Sequence, residues 1–154
     1  MNRLVKTLCL WVVLILVSAN LDFAQADENE AMEKLCQEGN STACFKIGDN
    51  ARTLDRDNKK ALSYYLKACD GGHMTGCNFA GIFTQMSGKQ YSPKWKKAVK
   101  LFQKACDAGE DGACFNIGSL KYKEGRASAA KKYYKQACDM GNQSGCTNLK
   151  RLQK

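Results

Sequence analysis

Eight cysteines form four pairs whose members are always eight positions apart, and this feature restricts the fold more than any other. Successive pairs begin 33, 37 and 32 residues after the one before. Each pair lies in the same pattern, C-x-x-G-x-x-x-[AG]-C. Self-similarity at a nearly constant period indicates a repeat architecture, in which each unit packs on its neighbours. The pairs are Cys36/Cys44, Cys69/Cys77, Cys106/Cys114 and Cys138/Cys146.

The residues around each pair predict two helices joined by a tight turn. Before the first cysteine, apolar residues such as Tyr64 and Tyr65 recur at helical spacing and share one face. The glycine three residues after that cysteine, for example Gly39, suits the left-handed conformation that ends a helix. In the helix that follows, Ile117 and Tyr122 are expected to point towards the interior. Small residues that would let the two helices approach closely are Gly48, Gly81 and Gly118.

The spacing places one cysteine on the last turn of a helix and its partner at the start of the next. Such positions come within disulfide reach when antiparallel neighbours are joined by a tight loop. Eight cysteines allow roughly a hundred connectivities, and only local pairing gives every repeat the same geometry. No metal site or cofactor is expected, because the chain has no C-x-x-C pair and its only histidine is His73. His73 itself is expected to be a solvated turn residue.

Residues 1–26 have the features of a signal peptide. Two basic residues precede the apolar residues 8–17, and an Ala-Gln-Ala motif ends at Ala26. Cleavage is expected after Ala26, which leaves residues 27–154 as one domain. The apolar stretch is short for a membrane span, which favours cleavage over the alternative of an uncleaved N-terminal anchor. No stable membrane insertion is expected after cleavage.

Cysteine content and charge bear on the compartment and on the partner. Once Cys9 leaves with the signal peptide, an even number of cysteines remains, which is typical of small exported proteins with disulfides. The chain carries a net charge of +9. Export makes a nucleic-acid partner unexpected. Anionic envelope polymers, lipid headgroups or an acidic protein are the candidates, unless the lysines only solvate exposed helix faces.

The repeat resembles a known family. The A-x-x-x-[LI]-G core at residues 43–48 and 113–118 resembles the Sel1-like repeat. So does the K-A-x-x-[YL]-[YF]-x-K-A ending at residues 60–68 and 97–105. Cysteine in place of the alanine that usually follows this ending resembles the cysteine-rich Hcp family of secreted bacterial Sel1-repeat proteins.

This resemblance implies an all-α fold, a right-handed α/α superhelix of disulfide-stapled, TPR-like helical hairpins. A partial repeat at residues 28–38, about three full repeats and a capping helix at residues 143–153 are expected, in a periplasmic or secreted monomer. The second repeat departs from the pattern through a longer connection from Met86 to Lys96, which contains Trp95. This connection is either a recognition loop or a plain insertion.

Stacked helical hairpins form an extended concave surface that repeat proteins use to hold other proteins. The resemblance implies that the first helix of each repeat lines this surface. A binding scaffold for a protein or peptide is therefore the leading hypothesis, with a host factor, an envelope component or a neutralised toxin as the partner. The candidate binding residues are Lys46, Phe79, Asn116, Lys121 and Asn148.

The Hcp resemblance also implies an enzymatic alternative, because members are described as penicillin-binding proteins with weak β-lactamase activity. Ser128 and Lys131 form an S-x-x-K motif, in which a lysine one helical turn away could activate the serine. The S-D-N and K-T-G elements that accompany this motif in serine β-lactamases are absent from the sequence. A hydrolase of β-lactams or cell-wall peptides is therefore the weaker hypothesis.

Asn40 and Asn142 each begin an N-x-[ST] sequence and are formal glycosylation acceptors. Both lie in predicted turns, where asparagine is favoured for conformational reasons as well.

Overall fold

The computed structural model describes residues 28–153, and this range contains helices and no strands. The predicted signal peptide and its cleavage site after Ala26 lie outside the described residues. Within residues 28–153, no helix is long and apolar enough to cross a membrane. Helix α1 covers residues 28–37. It is followed by α2 (Ser41–Thr53), α3 (Asn58–Asp70), α4 (Met74–Met86), α5 (Pro93–Asp107), α6 (Asp111–Lys123), α7 (Ala127–Asp139) and α8 (Gln143–Arg151).

The starts of several helices are fixed by capping side chains. Asn40 and Asn142 each accept a hydrogen bond from the backbone N–H three residues later, at 3.0 and 2.8 Å. His73 does the same for α4, since its Nδ1 accepts from the N–H of Gly76 at 3.2 Å. A side-chain acceptor here satisfies an N–H that the helix leaves unpaired. The expectation that His73 is merely a solvated turn residue is therefore wrong.

Glycine ends the helix before each of these turns, as the sequence predicts. Gly39 has a φ of 92°, which lies in the left-handed region where a side chain is strained. The N–H of Asn40 then bonds to the carbonyl of Leu35 at 3.0 Å, the pattern of a Schellman motif. The other glycines of this type are Gly72, Gly109 and Gly141, with φ of 90°, 92° and 97°.

The helices alternate between two kinds, A helices (α2, α4, α6 and α8) and B helices (α1, α3, α5 and α7). Within each A–B pair, a glycine of the A helix lies against a buried aromatic ring of the B helix. A Cβ added to Gly48 would lie 2.9 Å from Cδ1 of Tyr65, and one added to Gly118 would lie 2.6 Å from Cδ1 of Tyr134. The close approach expected from these small residues is therefore present.

A disulfide closes every junction from a B helix to the next A helix. The four bonds join the local pairs that the sequence spacing favours. They therefore tie each helical hairpin to the next one and indicate folding outside the reducing cytoplasm. The bonds and their Cα–Cα distances are Cys36–Cys44 (4.7 Å), Cys69–Cys77 (4.4 Å), Cys106–Cys114 (4.8 Å) and Cys138–Cys146 (4.6 Å). The all-helical array of stapled repeats is confirmed.

Trp95 belongs to the core and not to a loop. Its side chain is 7% exposed and packs in the central hydrophobic cluster. The predicted connection from Met86 to Lys96 is wrong at both ends, because α4 continues to Met86 and α5 begins at Pro93. Proline suits the first turn of a helix, where its missing N–H costs nothing. Only residues 87–92 connect the two helices.

Two further expectations need correction. Tyr122 is 57% exposed, whereas Leu120 is 1% exposed. Ile117 and Leu120 are three positions apart and share the inner face of α6, while Tyr122 lies five positions from Ile117, on another side of the helix. The capping helix α8 ends at Arg151, two residues earlier than expected.

Candidate functional site

The A helices lie next to one another and present one row of side chains. Helices α2 and α4 meet through the rings of Phe45 and Phe79, whose centroids are 5.9 Å apart. Helices α4 and α6 meet where Nδ2 of Asn116 donates a hydrogen bond to Oδ1 of Asn78 at 2.8 Å. We call this row the A-helix face. It is defined by the residues two positions after the second cysteine of each pair, which are Lys46, Phe79, Asn116 and Asn148.

Two of the predicted binding residues are engaged within the protein itself. The amide of Asn116 is held by the buried Asn78. The ammonium group of Lys121 lies 3.0 Å from Oε2 of Glu124, and the Lys121 side chain is only 17% exposed. Asn116 therefore links two helices, and Lys121 forms an ion pair at the end of α6. Their contact with a partner stays a prediction.

The other three predicted residues are accessible to different degrees. Lys46 is exposed and lines a shallow cavity together with Phe45 and Asp49. Phe79 is half-buried among other aromatic rings. Asn148 is half-buried and lines a separate cleft near the C-terminal end. The structure thus distributes these residues along the A-helix face and does not gather them into one pocket.

The N-terminal end of the face is closed by an aromatic cluster. The ring of Tyr65 stacks on Phe79 with centroids 5.1 Å apart, and the guanidinium carbon of Arg52 lies 5.5 Å above the Phe79 ring. The Tyr65 and Phe83 rings are 5.7 Å apart. Such contacts stabilise beyond the area they bury. We call this group the N-terminal cluster, made of Asp49, Arg52, Tyr65, Phe79 and Phe83.

Polar groups of the N-terminal cluster satisfy one another. Arg52 donates from Nη2 to Oδ1 of Asp49 at 2.6 Å and from Nε to the hydroxyl oxygen of Tyr65 at 3.2 Å. The hydrogen bond to Asp49 raises the pKa of Arg52 above its ordinary value. Burial raises the pKa of Tyr65. The cluster therefore keeps a cationic guanidinium and a neutral phenol at neutral pH, and the guanidinium is paired with a carboxylate of the same cluster.

His73 extends this packing in a way that the sequence did not reveal. Its ring stacks on Phe45 with centroids 4.4 Å apart and an interplanar angle of 10°. The same ring caps α4 through Nδ1. No periodic pattern could have indicated this contact, because its partner lies on a different helix of the preceding repeat.

The C-terminal end of the face has an open cleft of about 300 Å³. Tyr122, Tyr134, Asn148, Arg151 and Leu152 line it. We call it the C-terminal cleft. When positions are counted from the cysteines of each repeat, the residues that line the cleft are equivalent to residues of the aromatic packing at the other end of the face. The equivalent residues there are, in the same order, Arg52, Tyr65, Phe79, Ile82 and Phe83.

The polar groups of the C-terminal cleft are satisfied differently. In the cleft, the hydroxyl of Tyr134 donates a hydrogen bond to Oγ of Ser119 at 3.4 Å. At the equivalent position of the N-terminal cluster, the hydroxyl of Tyr65 bonds instead to the carboxylate of Asp49 at 3.3 Å. Among residues 28–153, Arg151 makes no ion pair, and the side-chain amide of Asn148 lines the cleft beside it. Donor groups are therefore left available in the cleft. Sequence reasoning found Asn148 here and missed Arg151 and Tyr122.

The predicted catalytic pair lies away from this cleft. Ser128 and Lys131 are both exposed in the first turns of helix α7. Neither residue lines the clefts described above, so the S-x-x-K hydrolase stays a prediction. In the part of the chain that the structure describes, no group of side chains is arranged to hold a metal ion.

The two formal glycosylation acceptors differ in their surroundings. Asn40 is exposed, whereas Nδ2 of Asn142 donates a hydrogen bond to Asp111 at 2.8 Å. A glycan is attached through this nitrogen, so Asn40 is the more accessible acceptor. Modification of either residue stays a prediction.

Comparisons with known proteins agree on the repeat. A family model described as Sel1 repeat matches residues 29–73, 96–110 and 112–142. A Sel1 repeat protein from Oxalobacter formigenes has a similar fold, with 19% identity, a TM-score of 0.63 and coverage of 79% of this chain and 96% of that chain. Cysteine-rich protein B of Helicobacter pylori is also similar, with 25% identity, a TM-score of 0.58 and coverage of 83% and 95%. No curated protein sequence matches significantly.

Proposed function

The chain belongs to the Sel1 repeat family, and from that premise we propose that it is an exported scaffold that holds a protein or peptide partner on its A-helix face. Stacked helical repeats are typical protein-interaction scaffolds, because they present an extended surface on a regular frame. The proposed site of action is the periplasm or the outside of the cell. The partner belongs to one of three classes, a host factor, an envelope component or a neutralised toxin.

The observation that carries this proposal is the contrast between a uniform frame and a varied face. The frame repeats the same cysteine and glycine positions in every junction. The defining positions of the face carry a cation, an aromatic ring and two amides instead. Varied contact chemistry on a rigid support suits recognition of one partner.

The disulfides support this function physically. Each closes a short loop and is worth about 2–3 kcal/mol in the chain-entropy model. A frame held in this way is already ordered before it meets a partner, so that less conformational entropy is lost on binding. The cysteines therefore stabilise the surface without taking part in chemistry.

Hydrolysis of β-lactams at Ser128, with membership of the narrower Hcp family, is the alternative, and its support is limited to the S-x-x-K motif and the resemblance. If it operates, slow turnover of a chromogenic β-lactam disappears in Ser128→Ala. Turnover that is absent, or unchanged in this variant, would exclude this mechanism.

Site-specific photo-cross-linking tests the scaffold function. Benzoylphenylalanine is introduced in place of Lys46, Asn148 or Lys132, one variant at a time, and the full chain is irradiated in its own cell envelope. Lys132 is the matched control, because it is an exposed lysine on the outer side of a B helix. The expected result is one discrete adduct from the two A-helix positions and none from the control. Adducts from the control alone, or from no position, would contradict the proposal.

A further inference from the structure

The C-terminal cleft lacks a group that its N-terminal equivalent supplies from within. In the N-terminal cluster, the carboxylate of Asp49 bonds to both the guanidinium of Arg52 and the hydroxyl of Tyr65. The repeat position of Asp49 is occupied by Ser119 beside the cleft. The tyrosine remains and an arginine is present, but no lining residue of the cleft carries a carboxylate.

The acidic C-cap residue of α6 is already used. Glu124 lies 3.0 Å from the ammonium of Lys121 and 3.6 Å from the guanidinium of Arg126, and its side chain is 8% exposed. It is thus held by two cations away from solvent. Among the described residues, no ion pair satisfies Arg151.

The cleft combines donors with an apolar wall. Arg151 and Asn148 offer N–H donors, and a guanidinium binds a carboxylate through two parallel hydrogen bonds. Leu152 and the half-exposed ring of Tyr122 present apolar surface beside them. About 300 Å³ accommodates a side chain and part of its neighbour, and not a folded domain. The net charge of +9 favours the approach of an acidic partner.

We propose that the C-terminal cleft binds the side-chain carboxylate of an aspartate or glutamate, flanked by an apolar residue, in a peptide segment of the partner. This inference rests on the scaffold function proposed above and adds the site and the chemistry of recognition. The ligand carboxylate takes the place that Asp49 fills at the other end of the face. Arg151 and Asn148 hold it, while Leu152 and the Tyr122 ring contact the neighbouring apolar side chain.

The test uses the end-blocked peptide acetyl-Leu-Glu-Leu-amide and its glutamine counterpart, titrated into the oxidised protein and followed by ¹⁵N–¹H NMR. The expected result is saturable shifts confined to α6, α7 and α8, with binding about tenfold weaker for the glutamine peptide. Raising the salt concentration is expected to weaken the glutamate peptide further, because exposed charges are screened. A third peptide, with glutamine and a free carboxyl terminus, shows whether the cleft binds a side-chain carboxylate or a terminal one.

Arg151→Gln is expected to reduce the affinity for the glutamate peptide about tenfold. Lys150→Gln is the matched control, since it removes the same charge from an exposed neighbour that does not line the cleft. No saturable shift, equal binding of both blocked peptides, equal effects of the two variants, or binding only through a free carboxyl terminus would each overturn the inference. Failure here together with adducts from the Lys46 position would leave the scaffold function standing.

Discussion

The two ends of the A-helix face use the same positions of the repeat with opposite results. At the N-terminal end, the ring of Phe79 packs against both Arg52 and Tyr65. At the C-terminal end, the equivalent Asn148 leaves a cleft of about 300 Å³ beside Tyr134. The frame is alike in both places, because each has a glycine under a tyrosine ring and a disulfide at the next junction.

The C-terminal end has an amide in place of an aromatic ring and a hydroxyl in place of a carboxylate. These two differences accompany the change from a closed packing unit to an open one. The N-terminal cluster satisfies its own charges through Asp49. The C-terminal cleft lacks that acceptor, and its guanidinium is supplied by Arg151 at the repeat position of Ile82. In such an array, stability and recognition can therefore be assigned to different copies of one repeat without changing the backbone.

The largest expected effect comes from removing the disulfide beside the C-terminal cleft. Gly145 is the only buried residue among the described residues of α8, so this helix depends on its bond to α7. Replacing Cys138 and Cys146 together with serine is expected to cost about 2–3 kcal/mol and to release α8, with loss of the cleft. Urea unfolding and the NMR signal of the Asn148 amide measure the two effects.

The matched control removes the disulfide at the other end. Replacing Cys36 and Cys44 with serine is expected to cost a similar free energy while the Asn148 signal stays unchanged. If α8 stays ordered in the variant that lacks Cys138 and Cys146, the cleft does not depend on this staple and that part of the account is wrong.

The second prediction compares Phe79→Ala with Asn148→Ala. Loss of the half-buried ring is expected to lower the free energy of unfolding by about 2 kcal/mol, since aromatic truncations leave cavities. Loss of the amide is expected to change it by only a few tenths of a kcal/mol. Thermal or urea unfolding of the oxidised variants measures both. Equal losses would show that the two ends do not differ as packing units.

A smaller effect is expected from Asp49→Ser, which gives the N-terminal cluster the residue found beside the cleft. The Asp49–Arg52 pair is largely solvent-accessible, with side chains 40% and 37% exposed. Its loss is therefore expected to cost about 0.5 kcal/mol, and less at high salt. A cost of several kcal/mol, measured by urea unfolding, would mean that this ion pair holds the cluster together.

The smallest effect is confined to alkaline pH. Burial raises the pKa of Tyr65 in the folded chain above its ordinary value of about 10. The neutral phenol therefore contributes stability below pH ~10, and this contribution is lost as the pH rises through the raised value. Unfolding measured between pH 8 and 11 is expected to show a shallower loss for Tyr65→Phe than for the natural chain. Identical pH profiles would contradict this assignment.

Most of the frame follows from the sequence, because its causes are local. A glycine such as Gly39 is favoured at the end of each helix that precedes a disulfide-closed turn, because the backbone there enters the left-handed region. Cysteines eight apart fix which helices are joined. These constraints act within a few positions of the chain, so the repeated pattern reveals them.

The candidate site was only partly predictable, because its contacts join different repeats. Asn148 could be predicted from its place in the repeat, but whether Arg151 forms an ion pair with another residue of 28–153 depends on side-chain contacts between helices, which the repeat pattern does not show. The burial of Trp95 likewise depends on helix packing that proline and a longer gap obscured. The sequence signal that indicates the cleft is the difference between equivalent positions of the repeats, such as Phe79 and Asn148.

The central claim is that the partner is recognised at the open C-terminal end of the A-helix face. It is tested most directly by benzoylphenylalanine in place of Tyr122, irradiated in the native envelope of cells that carry Arg151→Gln, Lys150→Gln or neither. The account predicts a discrete protein adduct whose yield falls several-fold with Arg151→Gln and is unchanged with Lys150→Gln. An adduct that is absent, or one that both substitutions affect equally, would contradict it.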